Sequence, residues 1–384
     1  MKNVVIFLLV VLAGLSACQN FNIDHPDNPI GTAGYFPYQY PVRTLILGDY
    51  IYDNANDNAY KFVISVAMGG VYENTKDRKF TILRDDALCV KADFNAVGGV
   101  SGSIKPLPSN YLASDLPSEI IIPKGKYDGG ITVQLTEAFF NDPDAIKRTY
   151  VIPLRLVSSN DVDSILCGLP LTSNPNTDPS DTRPFPDVRR ADHWTTVPKN
   201  FTMFGVKFIN EYHATYFQYG KCEVGNADGK VGNTEEYKQK YIEWNPTVTM
   251  VTSSRRGVSA TLLFKSNEMP AGSSFNLTLT FDSNNSCTIS GTNEFSRTVE
   301  GVTYTTVFKT TGVGTGTFVS KQKDAYTAWG NKDRDVINNV NYRVVVESTD
   351  DPDVDPSLFY SAEETLVVRT RDVLLETFTP VILN

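Results

Sequence analysis

The sequence predicts an all-β protein of two domains, an immunoglobulin-like β-sandwich followed by an antiparallel β-barrel with one short helix. Runs rich in branched and aromatic residues recur between turn signals along most of the chain, which is typical of strands. The chain has 384 residues, enough for two domains of about 150 residues each. Residues 172–187 contain four prolines and no aliphatic side chain, a composition typical of a linker. The predicted parts are a sandwich (39–170), a linker (171–187) and a barrel (188–384).

The first half contains strand-like runs without intervening segments of helical period. This spacing favours a sandwich of two sheets over a parallel α/β sheet. Pro153 cannot donate a hydrogen bond to a neighbouring strand, so it indicates an edge or a bulge in the last run. The predicted strands are 43–47, 61–66, 79–83, 119–122, 131–135 and 150–157.

The second half contains a strictly alternating run at 275–281, which places Phe275, Leu277, Leu279 and Phe281 on one face. That face is expected to be buried. The short connection 282–286 predicts a hairpin, and consecutive hairpins most simply close into an up-and-down barrel that resembles a calycin. A second sandwich is the alternative. The predicted strands are 202–209, 247–251, 260–264, 275–281, 287–290, 303–309, 315–319, 343–347, 366–369 and 373–378.

One segment departs from the β pattern. Asn233 could cap a helix with Glu236 three residues later, and Tyr237, Tyr241 and Trp244 follow at helical spacing. We therefore predict a short helix at 234–243. Its aromatic stripe would either close one end of the barrel or form a platform for a ligand.

The amino terminus predicts a secretion signal. Lys2 precedes the apolar run 4–12, which is about half as long as a helix that spans a bilayer. The residues Leu15-Ser16-Ala17-Cys18 look like a bacterial lipobox. We expect cleavage after a signal peptide (1–17), lipidation of Cys18, a polar tether (18–38), and a lipid-anchored protein at the outer membrane and cell surface.

The remaining cysteines are single and form no C-x-x-C pair, so structural zinc is not expected. An exported chain could pair Cys89 with Cys167 and Cys222 with Cys287, or could keep all of these as free thiols.

We do not expect this protein to be an enzyme. We also expect neither a cofactor nor a metal site. The run 350–357 has aspartates at hydrolase-like spacing, but Ser357 occupies the position of the general acid, and we predict a solvated loop there. Only three histidines are present, and no serine stands in a G-x-S-x-G turn. A formal charge of −9 without a long basic run argues against a nucleic-acid partner.

Recognition of a sugar is the remaining chemistry. Sugar rings stack their apolar C–H faces on flat aromatic side chains, while polar groups bind the hydroxyls. The candidate residues are Trp194, Trp244 and Trp329, together with Tyr237 and Tyr241.

Several segments resemble a known family. Residues 41–49 (PVRTLILGD), 122–125 (IPKG) and 150–155 (YVIPLR) resemble the amino-terminal β-sandwich domain of Bacteroidetes surface lipoproteins. Residues 328–330 (AWG) and 365–372 (TLVVRTRD) look like one of the variable domains that follow it. Such proteins are often encoded with starch-utilisation-like systems. The resemblance therefore implies glycan capture, with a polysaccharide or oligosaccharide and outer-membrane uptake proteins as partners.

Two other functions stay open from the sequence. A structural or adhesive surface protein would use exposed strand edges. A calycin-like carrier would line a cavity inside the barrel with Phe275, Leu277, Leu279 and Phe281 and hold an apolar ligand there.

Overall fold

The computed structural model describes residues 31–94, 102–270, 272–326 and 333–384. It confirms the predicted fold class, because a β-sandwich-like part is followed by a closed antiparallel barrel of eight strands. None of the helices in these ranges is long and apolar enough to cross a membrane. The four cysteines in the same ranges are free thiols, and of these Cys167 alone is exposed.

The strands before the barrel are β1 (Ala33–Tyr35), β2 (Pro41–Ile46), β3 (Lys61–Gly69), β4 (Arg78–Arg84), β5 (Ala92–Phe94), β6 (Gly102–Ser103), β7 (Lys105–Pro106), β8 (Glu119–Ile122), β9 (Asp128–Gln134), β10 (Tyr150–Ser158), β11 (Ser164–Ile165), β12 (Leu169–Pro170), β13 (Trp194–Thr196) and β14 (Phe201–Ile209). The later strands are β15 (Ala214–Gly225), β16 (Val231–Glu236), β17 (Thr247–Ser254), β18 (Gly257–Leu263), β19 (Ser274–Phe281), β20 (Ser286–Ser290), β21 (Thr292–Val299), β22 (Val302–Thr310), β23 (Gly314–Gln322), β24 (Arg334–Thr349), β25 (Phe359–Thr370), β26 (Glu376–Thr377) and β27 (Pro380–Ile382). The helices are α1 (Ala55–Asn58) and α2 (Glu137–Phe140), with 3₁₀ turns at Asp86–Cys89, Ser109–Tyr111, Ala191–His193 and Ile242–Trp244.

The sandwich packs a sheet of order β11-β1-β3-β9 against a sheet of order β26-β2-β14-β10-β4-β8. Alternate residues of β3, including Phe62, Ile64 and Val66, are buried in the same cluster as Phe80 of β4 and Ile152 of β10. Each such side chain contributes about 1.5–3 kcal/mol when it is fully buried. The period-two pattern of the sequence therefore builds the core between the two sheets.

The opposite face of the larger sheet is covered by the chain terminus. Val151 and Met203 on that face pack with Phe378 and Ile382, which lie near the end of the chain. β26 pairs with β2, and β27 pairs with β5. The last residues therefore leave the barrel and complete the amino-terminal part of the protein.

The barrel closes from strands that are almost all neighbours in sequence. The ladders run β15-β17-β18-β19-β20-β23-β24-β25 and return from β25 to β15. The hairpin of β21 and β22 projects from β24, and β16 pairs with the far half of β15. Phe275, Leu277, Leu279 and Phe281 face inward as predicted.

The inward residues of β19 belong to a packed aromatic and aliphatic core. The Phe281 ring stacks on Tyr212 with centroids 3.7 Å apart, and Phe318 packs on Tyr212 at 4.9 Å. Phe275, Leu277, Leu279 and Phe281 are each 2% exposed or less. This packing disfavours the alternative in which these four side chains line an apolar carrier cavity.

Strand pairing differs from the predicted division of the chain at residue 188. β14 (Phe201–Ile209) runs parallel to β2 and antiparallel to β10, so it lies inside the sandwich sheet. Pro153 also lies in this interior, because β10 pairs with β14 on one side and with β4 on the other. The predicted edge position of Pro153 is therefore wrong, but the alternative of a bulge in this run is confirmed, because the register of β10 against β4 shifts between Leu156 and Ser158. The pairing with β4 begins only at Leu154, one residue beyond the proline.

The helix predicted at 234–243 is wrong. β16 pairs residue by residue with β15, and a single 3₁₀ turn follows at Ile242–Trp244. The side chain of Asn233 donates to Glu235 Oε1 at 3.1 Å instead of capping a helix. The edge of β15 beyond Phe217 has no pairing with β17, and its unpaired backbone groups favour a strand partner over a helix.

The sandwich and the barrel meet at the buried side chain of Arg371. Its Nε donates to the carbonyl of Asp49 at 2.8 Å and its Nη1 to the carbonyl of His213 at 2.9 Å. Its Nη2 donates to Asp335 Oδ2 at 2.7 Å, and both side chains of this ion pair are less than 5% exposed. One guanidinium therefore joins a sandwich loop to the residue before β15 and to β24.

Replacing Arg371 with methionine is expected to lower the free energy of unfolding by about 3 kcal/mol, because Asp335 is left buried without its cation. Denaturant unfolding followed by circular dichroism measures this loss. The matched control is Arg369→Met, an exposed residue of β25 two positions before Arg371, which should change stability by less than about 1 kcal/mol. Equal midpoints for the two variants would contradict this role of Arg371.

Candidate functional site

Two predicted site residues project together from the segment that follows β16, which we call the platform loop (residues 237–246). The Trp244 side chain is 65% exposed and that of Tyr241 is 39% exposed. Their ring centroids lie 4.7 Å apart, with the ring planes at 76°. The Lys240 ammonium lies 5.3 Å from the centroid of the Tyr241 ring. The loop therefore presents a solvent-facing aromatic pair of the type that stacks on sugar rings.

The platform loop is held in place by buried side chains. Ile242 is fully buried and packs against Phe217, Tyr326 and Val367 on the outside of the barrel. The side chain of Asn245, 4% exposed, accepts from the Gln239 backbone N–H at 3.0 Å and donates to the Ile242 carbonyl at 3.1 Å. A platform that is ordered before binding loses little conformational entropy when a ligand arrives.

A polar cleft of about 590 Å³ crosses the outer face of β15, β25 and β24. The Tyr219 ring lies 5.1 Å from Tyr326, and the Lys238 ammonium lies 5.4 Å from the Tyr219 centroid. Lys221 pairs with Glu363 at 3.1 Å in the same cleft. The platform loop thus supplies both the exposed aromatic pair and one wall of a cleft that contains donors and acceptors.

Tyr237 points in the opposite direction from Tyr241 and Trp244. Its hydroxyl donates to Oε1 of Glu364, and Gln218 Nε2 donates to the same oxygen at 2.6 Å. Glu364 and Gln218 are 4% and 1% exposed and face the barrel interior, on the two strands that close it. The structure therefore places Tyr237 in a buried polar cluster and removes it from the aromatic surface.

Burial controls the charge of this cluster. Desolvation raises the pKa of Glu364 from 4.5 to about 6, although the hydrogen bonds from Tyr237 and Gln218 and the charge of Lys265 favour the ionised form. Burial also lowers the pKa of the Lys265 ammonium, against the attraction of Glu364 and Cys222. Glu364 is thus a carboxyl group inside the barrel whose pKa burial holds above its usual range.

The other predicted sites lie elsewhere. Trp194 is partly buried in β13, where its Nε1 donates to the carbonyl of Asp187 at 2.8 Å, and it is not part of the platform loop. Trp329 and the predicted lipidation site Cys18 lie outside the described residues.

The acidic run 350–357 is more ordered than predicted. Asp351 is 3% exposed and binds Arg297, which also contacts Asp353 at 2.7 Å. This pairing ties the loop to β21, so the prediction of a merely solvated loop is wrong for Asp351. Asp353, with its side chain 72% exposed, fits that prediction.

The residues Gln218, Glu364 and Lys265 were missed at the sequence level. One signal for Glu364 was present in the sequence. This residue alternates with apolar residues that face inward on β25, at positions Tyr360, Ala362, Glu364 and Leu366. A carboxyl group in such a series is a buried polar residue that needs partners. Nothing in the sequence indicates that the partners come from β15 and the platform loop.

The fold and these surfaces define a protein with an amino-terminal β-sandwich and a carboxy-terminal up-and-down barrel. Two family models fit this division. One described as a domain of unknown function (DUF5627) matches residues 211–372, and one described as a "-like, N-terminal domain" matches residues 27–163.

A crystal structure of a protein of unknown function from Bacteroides ovatus is 30% identical, with a TM-score of 0.73, and the match covers 93% of this chain and 100% of that one. The chain belongs to the same family as this Bacteroides ovatus protein. The resemblance to proteins of this group of bacteria, predicted from the sequence, is therefore supported.

Two other structures are only weakly similar. An auxiliary nutrient binding protein from Bacteroides thetaiotaomicron is 12% identical over 85% of this chain and 90% of that one, with a TM-score of 0.32. A protein of unknown function from Bacteroides ovatus is 11% identical over 87% and 91%, with a TM-score of 0.34. Comparison with curated proteins finds no match.

Replacing Glu364 with glutamine is expected to stabilise the protein, relative to the wild type, more at neutral pH than at acid pH. Folding raises the pKa of Glu364 from 4.5 to about 6, so the native state resists the ionisation that the unfolded state undergoes between these values. At about 1.4 kcal/mol per pH unit, the wild type loses about 2 kcal/mol relative to the variant as the pH rises from 4.5 to 7. Urea unfolding across this range measures the difference.

The matched control is Glu363→Gln, the exposed neighbour that pairs with Lys221. Its stability difference from the wild type should show no comparable increase between pH 4.5 and 7. A constant difference for Glu364→Gln would contradict a raised pKa at Glu364.

Proposed function

We propose that the chain is a non-catalytic, lipid-anchored protein of the outer membrane that captures glycans at the cell surface. The observation that carries this proposal is the aromatic pair Trp244 and Tyr241, exposed on a loop that Ile242 and Asn245 hold in place. Exposed aromatic rings on an ordered loop are the usual contact for sugar rings, because the C–H face of the sugar is apolar and flat.

The polar cleft supports the same proposal. Tyr219, Asn339 and Asn341 line it together with the paired charges of Lys221 and Glu363. Amide and hydroxyl groups can donate hydrogen bonds to sugar hydroxyls and accept hydrogen bonds from them, and carboxylate groups can accept them. Positive and negative side chains are nearly equal in number in the cleft. We therefore expect a neutral glycan, or one that carries charges of both signs, rather than a polyanion.

The amino-terminal sequence supports the location. The lipobox-like residues before Cys18 would give the chain a lipid anchor, and the sandwich would then separate the barrel from the membrane. The barrel would carry the binding surface. Uptake proteins of the outer membrane would receive the captured glycan.

Affinity electrophoresis of the fragment from residue 20 onward tests the capture of glycans. We expect at least one neutral plant or host polysaccharide to retard the fragment. Replacing Trp244 with alanine should then weaken binding about fivefold, the equivalent of about 1 kcal/mol for a lost aromatic stack. The matched control, Trp194→Phe, should be retarded like the wild type.

Failure of every polysaccharide in a broad panel to retard the fragment would overturn the proposal. Equal retardation of Trp244→Ala and the wild type would show that the glycan does not bind at the platform loop.

Replacing Cys18 with alanine tests the anchor. The wild type should incorporate labelled palmitate and partition into detergent, whereas the variant should do neither, because the lipobox-like residues direct the proposed lipid to the thiol of Cys18. Cys167→Ala, which removes an exposed free thiol, is the control and should behave like the wild type. Labelling of the Cys18 variant would contradict the proposed anchor.

A further inference from the structure

The barrel wall opens between β17 and β18. These strands pair from Ser254 and Gly257 only as far as Val251 and Ser259. Beyond that point the start of β17 continues beside β15, while the end of β18 continues beside β19. A cavity of about 660 Å³ lies between the diverging strands, and we call it the side opening. Its walls include Val251 and Leu263, which are 49% and 61% exposed, so it combines apolar surface with access from solvent.

A buried amide oxygen of Gln218 lacks a partner at the side opening. Gln218 lines the opening and is 1% exposed, and its Nε2 donates to Glu364. Its Oε1 is buried and accepts no hydrogen bond from the residues that the structure describes. A buried acceptor without a hydrogen-bond donor lowers the stability of the folded state by about 1–3 kcal/mol. A ligand with a hydroxyl or N–H donor would supply the partner that this oxygen lacks.

An ammonium group lines the same opening. The side chain of Lys265 is partly buried and makes no ion pair or hydrogen bond within the described ranges. Glu364 and Cys222 attract this ammonium electrostatically, but neither is hydrogen-bonded to it in the described ranges. A partly desolvated ammonium favours an anion that can approach it directly.

We propose that the side opening binds a hydroxy acid of monosaccharide size, such as a uronate, with its carboxylate on Lys265 and a hydroxyl donating to Gln218 Oε1. The apolar walls accept the C–H face of the sugar ring. The volume of the opening lies in the usual range for small-molecule sites. This site is separate from the platform loop surface and does not rest on the glycan capture proposed there.

Isothermal titration calorimetry of the fragment from residue 20 onward tests this proposal with three probes, galacturonate, galactose and acetate. Galacturonate is expected to bind with a Kd below about 1 mM. Galactose lacks the carboxylate and acetate lacks the hydroxyls, so each should bind at least about tenfold more weakly. Absence of galacturonate binding, or equal binding of galactose, would overturn the proposal and leave a buried water as the partner of Gln218.

Replacing Lys265 with methionine is expected to weaken galacturonate binding at least about tenfold, because a charge-assisted hydrogen bond is lost. Lys265 is partly exposed, so the variant should keep the melting temperature of the wild type. The control is Lys309→Met, which removes a surface lysine paired with Glu347 and should bind normally. Unchanged binding by Lys265→Met would contradict the assignment.

The variant Trp244→Ala separates the two sites. It should bind galacturonate like the wild type while losing polysaccharide affinity. Loss of galacturonate binding in this variant would show that the acid binds at the platform loop, which would overturn a site in the side opening.

Discussion

Closure of the barrel depends on the ladder between β15 and β25. Eleven consecutive residues of β15, from Thr215 to Gly225, have partners on β25. Because side chains alternate across a strand, this register fixes what lies on each side of the wall. Gln218 and Glu364 point inward, whereas Tyr219 and Glu363 point to the outer cleft. The inner polar cluster and the outer cleft are therefore two sides of one ladder.

A mismatch in strand length generates the remaining features. β17 pairs with only the first part of β15, up to Phe217, so the rest of that edge needs another partner. β16 and the platform loop supply it. The backbone N–H of Gln218 donates to the Pro246 carbonyl at 2.8 Å, and the backbone N–H of Tyr237 donates to the Gly220 carbonyl at 2.9 Å, so the loop is fixed at both ends. The ladder between β17 and β18 ends separately, at Val251 and Ser259, and leaves one side of β18 without a neighbour. The aromatic platform and the side opening therefore both lie where a ladder of β17 ends.

The sequence predicted the local part of this structure well. The alternation at 275–281 identified an inward face, and the consecutive hairpins identified the barrel, because both depend on contacts between neighbours in the chain. The helix at 234–243 was wrong because the spacing of Tyr237, Tyr241 and Trp244 is helical only by coincidence. The backbone groups of β15 required a strand beside them, a constraint from residues 10–20 positions away that the local pattern does not contain.

Long-range pairings were out of reach for the same reason. β26 and β27 return from the barrel to pair with strands more than 280 residues earlier, and Arg371 joins the two parts through Asp49. Among the candidate site residues, exposure of Trp244 and Tyr241 follows from their loop. The inward turn of Tyr237 follows from a carboxyl group, Glu364, that is distant in sequence.

Binding of a glycan on the platform loop is best tested by a crystal structure of the chain with an oligosaccharide from a polysaccharide that it retains. We expect a sugar ring stacked on Trp244, with hydroxyls hydrogen-bonded to side chains of the polar cleft. A sugar bound on the sandwich or beside Trp194, with Trp244 bare, would contradict it.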